Sequence, residues 1–357
     1  MQTALLLIVG LVLLLGGAEL MIRGAARLAV ATGLSPLVVG LTVVAFGTSA
    51  PELAISVDAA LRGAPAIAVG NVVGSNIANV LLILGLSALL APLLVARQLI
   101  RLDVPLMLAV SVLVMLLALD GRIGRVEGGA LVLMAVAYTA FVVRLARRES
   151  AAARAATAQA PEPAVRTVWW RDLALVLVGL ALLVLGARAL VSAAVSIALS
   201  LGLSELVVGL TVVAVGTSLP EIAASAVATL RGQGEMAVGN VVGSNIFNLS
   251  AVLGTSAAVA DGGMPVSAAA RTFDLPVMTA VAFACLPIFF SGHRIARWEG
   301  GLFLGYYVAY TAYLLLNGAG HDAASLLGRA MMGFVLPLTA ITLAVVTVRA
   351  WHLQRDP

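Results

Sequence analysis

Two glutamates stand where a carboxylate is costly. Glu52 closes "GTSAPE" (47–52) and Glu221 closes "GTSLPE" (216–221), and each motif interrupts an apolar run with glycine, two hydroxyls and a proline. An ionised carboxylate at bilayer depth costs about 2.5–3.5 kcal/mol or more, so an acid inside a spanning segment marks an ion path or binding site by default. Two such acids brought together repel unless a cation or protons neutralise them. The plainer alternative is that each glutamate only caps a kink. Downstream, "GNVVGSNIAN" (70–79) and "GNVVGSNIFN" (239–248) supply neutral oxygens. Ser75 and Asn79, like Ser244 and Asn248, are spaced i, i+4 and share a helix face. They are candidate ligands, with interhelical hydrogen bonding as the alternative. Asn71, Asn76, Asn240 and Asn245 read equally as helix glue or as outer partners. Packing alone accounts for the Gly70/Gly74 and Gly239/Gly243 pairs, which form GxxxG motifs.

Ser49-Ala50-Pro51-Glu52 reads as a capping box with proline at the helix start, and Ser218-Leu219-Pro220-Glu221 repeats it. A helix broken there frees backbone carbonyls, and Ala45, Thr48, Ala214 and Thr217 occupy the positions expected to release them. Carboxylate, hydroxyl, amide and carbonyl oxygens without sulfur or imidazole suit Ca²⁺ or Na⁺ over zinc or copper. Cys285 is the lone cysteine, and His293, His321 and His352 are scattered over loops and tail, so neither a disulfide nor a soft-metal cluster is expected.

The chain that must position these residues is 62% hydrophobic and 11% charged over 357 residues, outside the range of soluble domains. It reads as an all-α polytopic membrane protein. Apolar runs long enough to cross a bilayer fall at 4–22, 35–61, 66–94, 103–119, 127–146, 172–191, 204–230, 236–260, 273–291, 299–316 and 328–350. The first lacks a basic leader region and is read as retained. All 21 basic residues other than histidine are arginine; fifteen fall in the loops and tail of one side and five on the other. The positive-inside rule then places the N-terminus outside and the 147–171 loop and C-terminus in the cytoplasm, expected at the inner membrane. The basic balance needs no nucleic-acid partner. The 147–171 stretch contains "ESAAARAATAQAPEPAVR" and is expected to be a flexible linker.

The chain also repeats itself. Residues 40–85 and 209–254 share 30 identities in 46 positions at an offset of 169. "RIGRVEGG" (122–129) echoes "RIARWEGG" (294–301), and "AYTA" recurs at 137–140 and 309–312. Five spans per half force the second half to enter the membrane from the opposite side, giving inverted repeats related by an axis in the membrane plane. The expected organisation is a first repeat over 1–146, a linker over 147–171, an inverted repeat over 172–318 and an extra helix with a short tail over 319–357. This is a ten-helix core with helices broken at the midplane, plus an eleventh. Glu19 and Arg188 are equivalent and opposite in sign, but inversion sends them to opposite ends, so they should not meet. Asp58, four residues before Arg62, reads as half of a helix-end ion pair, and Asp103, Glu127, Asp274 and Glu299 read as interfacial.

The doubled "GTS-x-PE" and "GNVVGSNI-x-N" motifs resemble the paired alpha-repeats of the sodium/calcium exchangers in the cation/calcium exchanger superfamily. The resemblance covers about ten of the eleven spans. It implies Ca²⁺ export against inward Na⁺ by alternating access, three Na⁺ per Ca²⁺, with the first and sixth helices sliding past the core. By motif position, the implied ion ligands are Ala45, Thr48, Ser49, Glu52, Ser75 and Asn79, with Ala214, Thr217, Ser218, Glu221, Ser244 and Asn248. Ca²⁺ and Na⁺ are then substrates, and no cofactor is implied. Several microbial relatives carry aspartate where this chain has Asn248, so here the site holds two formal negative charges. A Ca²⁺/H⁺ antiporter of the same superfamily is the alternative, with Glu52 and Glu221 titrating. A channel gives no reason for two matched half-sites, and no nucleophile–base constellation suggests an enzyme.

Overall fold

The computed structural model describes residues 2–156, 169–200, 214–318, 321, 323–341 and 344. The first repeat begins with α1 (Gln2–Thr32), a single apolar helix of 31 residues. Next come α2 (Pro36–Thr48) and α3 (Ala50–Leu61), two parts of one span bent by 43°. They are followed by α4 (Pro65–Leu90), β1 (Leu93–Leu94), α5 (Leu99–Asp120), β2 (Arg122–Ile123) and α6 (Arg125–Ala156). The second repeat runs through α7 (Trp169–Ser200), α8 (Ala214–Thr217), α9 (Leu219–Leu230) and α10 (Gly234–Val259). It ends with β3 (Met264–Pro265), α11 (Ala270–Phe290), β4 (Arg294–Ile295) and α12 (Arg297–Gly318). A further helix, α13 (Ala323–Ile341), stands where the eleventh span was expected. The segment 201–213, which would complete the seventh span, lies outside the described residues.

One boundary moves. Residues 147–156, expected to start the linker, instead continue α6 to Ala156. Alanine and arginine, both strong helix formers, dominate "RRESAAARAA", and the first proline comes only at Pro161. The rest of the linker, 157–168, is not among the described residues.

The weak sequence echoes mark the contacts that lock one repeat into the other. Gly85 and Gly254 occupy equivalent positions, and so do Gly128 and Gly300 of the two "EGG" motifs. A Cβ on Gly85 would lie 3.0 Å from the Gly300 carbonyl oxygen, joining α4 to α12. One on Gly128 would lie 2.6 Å from the Gly254 carbonyl oxygen, joining α6 to α10. This is one contact made twice. The "RI" pairs of the same echo form β2 and β4, which pair antiparallel with β3 and β1 of the other repeat.

Two of the four acids read as interfacial are enclosed by protein. Asp103 is fully buried and Glu299 nearly so. Tyr138 Oη donates to Asp103 at 3.0 Å and Tyr310 Oη to Asp274 at 3.1 Å, which explains why "AYTA" recurs. Glu127 accepts the Gly124 N–H at 2.6 Å and Glu299 accepts the Ala296 N–H at 2.7 Å. Each fills the role of a first-turn glutamate that reaches back to satisfy an orphan helix donor. Internal donors hold each of these carboxylates, and the Arg294 charge also acts on Glu299. Asp58 and Arg62 do form the expected exposed ion pair at 2.9 Å.

The approach of α1 to α7 has no counterpart in the sequence reading. Gly10, Gly17 and Gly24 recur every seven residues on α1, and Gly179 and Gly186 do so on α7. A Cβ on Gly17 would sit 2.7 Å from the Gly179 carbonyl oxygen, and one on Gly186 would sit 2.5 Å from the Leu14 nitrogen. The two backbones touch, as small-residue seams in membranes allow. α7 also reaches both broken helices: Leu180 lies beside Gly47 and Val191 beside Gly216.

Candidate cation site

The span break is a single residue. Ser49 (φ −82°, ψ 2°) separates α2 from α3, and Ser218 (φ −89°, ψ 6°) separates α8 from α9. Both backbones sit in the sparsely populated bridge region between helix and strand. The expected serine cap is absent, since neither side chain bonds the backbone of the following turn. A capping serine needs an extended ψ, whereas Ser49 stays near-helical, giving its N–H to Ala45 O at 3.0 Å and taking the Leu53 N–H at 3.1 Å. The hydroxyl is therefore available elsewhere, and Ser49 Oγ donates across the repeats to Glu221 Oε1 at 3.4 Å.

At Ala45 the carbonyl oxygen accepts the Ser49 N–H at 3.0 Å, so an ion contact there would use its second lone pair. The carbonyl that loses its i+4 donor is that of Gly47, because position 51 is proline. In the second repeat Ser218 turns more tightly, giving its N–H to Val215 O at 3.1 Å. Ala214 opens the described part of its helix, and Thr217 is half-buried.

The glutamates lie at the first turns of α3 and α9 and are fully enclosed, 0% exposed at Glu52 and 1% at Glu221. Their carboxylates are close enough to interact electrostatically, and the Thr48 and Ser49 hydroxyls lie against Glu221. Around them Thr48, Ser49, Ser75, Asn79, Ser218, Ser244 and Asn248 are all buried. Wide π-helical turns begin at Asn79 and at Asn248, and another at Gly40–Val44 leads into Ala45. Such turns recur at functional sites, where they re-aim side chains without ending the helix.

The partner helices cross at their asparagines. Asn79 Nδ2 donates to Asn245 Oδ1 at 2.9 Å, and Asn245 Nδ2 reaches Asn76 O at 3.4 Å. Thr48 Oγ1 donates to Asn240 Oδ1 at 3.2 Å. The Gly239/Gly243 motif permits close approach as expected: a Cβ on Gly243 would lie 2.6 Å from Leu41 O. For Gly70 and Gly74, nothing among the described residues lies within 4 Å of an added Cβ.

Asn71 and Asn240 resolve as the structural members. Asn71 Nδ2 donates to Ser56 Oγ at 2.9 Å, and Asn240 Nδ2 donates to Ser225 Oγ at 3.0 Å. Each bond ties a glutamate-bearing half-helix to its asparagine-bearing partner. Ser56 and Ser225 escaped the sequence reading, although they are identical at the repeat offset and lie one turn beyond the glutamates. Replacing Asn240 with alanine is expected to cost about 1–3 kcal/mol, the usual penalty for stranding buried hydroxyls. A melting temperature equal to wild type in detergent would show that the bond contributes nothing.

What remains at the centre is a set of buried oxygens without partners. Glu52 Oε1 and Oε2, Glu221 Oε2, Asn76 Oδ1, Asn79 Oδ1, Ser218 Oγ, Ser244 Oγ and Asn248 Oδ1 accept no hydrogen bond from the protein. Each such atom costs about 1–3 kcal/mol when left unsatisfied. Among the described residues no group of three or more His, Cys, Asp or Glu side chains could hold a metal. Two carboxylates amid neutral oxygens fit a hard cation that passes through more than one that stays.

Two matched half-sites, one carboxylate each, enclosed where broken helices of inverted repeats meet, define a membrane cation transporter. The family described as sodium/calcium exchanger protein matches residues 3–144 and 172–316. The sodium/calcium exchanger MaX1 of Methanosarcina acetivorans is 34% identical over 348 residues, covering 87% of this chain and 97% of the relative. The inner membrane protein YrbG of Escherichia coli is 36% identical over 316 residues, covering 87% and 95%. A solved structure of the sodium-calcium exchanger NCX_Mj, soaked with 2.5 mM Na⁺ and 0.1 mM Ca²⁺, matches with a TM-score of 0.74 at 32% identity. That match covers 87% of this chain and 97% of the other. The chain belongs to the sodium/calcium exchanger family; it is a multi-pass membrane cation antiporter and not an enzyme.

Proposed function

We propose that this protein exchanges Ca²⁺ for Na⁺ at a single central site, with three Na⁺ replacing one Ca²⁺ by alternating access. The observation that carries the reading is the enclosed Glu52–Glu221 pair among unpartnered oxygens. Ala45, Thr48, Ser49, Ser75 and Asn79, with Ala214, Thr217, Ser218, Ser244 and Asn248, complete the proposed ligand set. Two carboxylates balance one Ca²⁺, whereas three Na⁺ leave the loaded site at +1, because Asn79 and Asn248 are neutral. Exchange is therefore electrogenic, and each net charge moved is worth about 2.3 kcal/mol per 100 mV. The arginine distribution supports an orientation with the N-terminus outside and the linker and C-terminus in the cytoplasm.

Liposomes reconstituted with the protein and loaded with Na⁺ are expected to take up external Ca²⁺, and faster when their interior is clamped positive. Uptake driven by a pH gradient alone, with Na⁺ without effect, would make the protein a proton-coupled antiporter instead. Potential-independent uptake under a Na⁺ gradient would retain the sodium coupling and overturn the three-to-one ratio.

A further inference from the structure

A second polar site lies away from the glutamates, at the end of the bundle where α1 and α9 finish. A cavity of ≈ 380 Å³ opens there, lined by Ile22, Arg23, Ala26, Arg27, Arg231 and Gln233. Glu19 bridges Arg23 and Arg231, so it meets these two residues and not Arg188. Three arginines against one glutamate leave two positive charges in the cavity. Arg27 lines the cavity, is exposed and has no ion pair among the described residues.

The depth of this cavity follows from its neighbours. Gly24, between Arg23 and Arg27, packs against the first turn of α7, where a Cβ would lie 2.7 Å from Asp172 O. Asp172 itself is buried. That turn carries Trp169 and Trp170, 62% and 55% exposed, with the Arg171 guanidinium 5.2 Å from the Trp170 ring. Exposed tryptophans beside arginine mark the headgroup level of a bilayer. Nor does the duplicated architecture explain the charge: at the repeat offset Arg23 and Arg27 become Ser192 and Ser196, and Gln233 becomes Ala64. Only Arg231 has an arginine mate, Arg62. Three of the four polar lining residues are therefore particular to this repeat position.

We propose that this cavity binds a phosphate-bearing anion, the headgroup of an acidic phospholipid, between Arg23, Arg27, Arg231 and Gln233. Planar guanidinium forks match phosphate oxygens two at a time, and basic pockets between membrane helices take anionic headgroups. The bound phosphate ties α1 to Arg231, the residue that ends the helix carrying Glu221. It thereby links the lipid surface to the cation site.

The test is lipid retention by the purified full chain, measured by native mass spectrometry after exposure to phosphatidylglycerol and phosphatidylcholine. The wild type is expected to prefer phosphatidylglycerol. Arg27→Gln is expected to reduce that preference about fivefold, the share one near-surface arginine contributes. Arg62→Gln, at the opposite end, should leave it unchanged. No preference in the wild type, or an equal preference in Arg27→Gln, overturns the site. Binding of inorganic phosphate with no discrimination between the two lipids assigns the arginines to a free anion and overturns the headgroup.

Discussion

Glu52→Gln and Glu221→Gln should each abolish Ca²⁺ exchange while leaving the protein at least as stable as wild type. Glutamine keeps the volume and one oxygen of the carboxylate, so packing around the first turns of α3 and α9 is preserved. With the ligand set proposed above, what disappears is half of the negative charge available to a divalent ion in an enclosed site, where both residues are 0–1% exposed. Removing one partner of a buried charge pair costs about 3–5 kcal/mol. At 1.4 kcal/mol per decade this lowers Ca²⁺ occupancy by at least about two orders of magnitude. In Ca²⁺-free buffer the sign reverses for folding. Glu52 carries two unpartnered carboxylate oxygens beside a second acid, and substitution relieves both the desolvation and the repulsion. The two variants should therefore melt at or above the wild-type temperature without Ca²⁺ and lose the stabilisation that Ca²⁺ gives the wild type. Exchange at the wild-type rate in both would remove the glutamates from the site. Loss of exchange together with a sharp fall in melting temperature would make them structural.

Much of this arrangement was legible in the sequence because the duplication wrote it twice. The offset of 169 paired Glu52 with Glu221, and the parity of five spans supplied the inversion that lets the two half-sites face each other. The short echoes were visible too, but their meaning was not. "EGG" and "AYTA" became interpretable only when Gly85 met Gly300 and Tyr138 met Asp103. Contacts between repeats depend on tertiary placement that no local pattern encodes. Motif reading misled at Ser49, where a capping-box string closes a near-helical turn and sends its hydroxyl to Glu221 instead. The π-helical turns at Asn79 and Asn248 leave no local signature, because one extra residue per turn alters helix phase without requiring glycine or proline. The heptad glycines of α1 and α7 were present in plain letters, but glycine is common in membrane helices, and only its partner shows that a given one is a seam.

That seam sets the second large expectation: Gly179→Leu should destabilise the protein and slow exchange, whereas Gly16→Leu should do neither. A Cβ at Gly179 would lie 2.5 Å from the Met21 nitrogen and 2.7 Å from the Gly17 carbonyl oxygen. Both obstacles are backbone, so no rotamer change can absorb the clash and the helices must separate. Overpacking of this kind costs about 1–3 kcal/mol, often more where the backbone must move. Gly16 is the neighbouring control: nothing lies within 4 Å of its added Cβ, and leucine there points outward from the seam. The functional loss follows from where α7 runs. Leu180, adjacent to the substituted residue, lies 3.4 Å from the position a Cβ would take on Gly47, at the opening of "GTSAPE", and Val191 lies beside Gly216. Forcing α7 away from α1 therefore displaces it relative to both helix breaks, and with them the glutamates they hold. Melting curves of the two variants in detergent, read beside Ca²⁺ uptake in liposomes, separate the possibilities. Equal behaviour of Gly179→Leu and wild type would mean that the seam yields without consequence. A fall in melting temperature with full uptake would confine its role to stability and detach α7 from the exchange cycle.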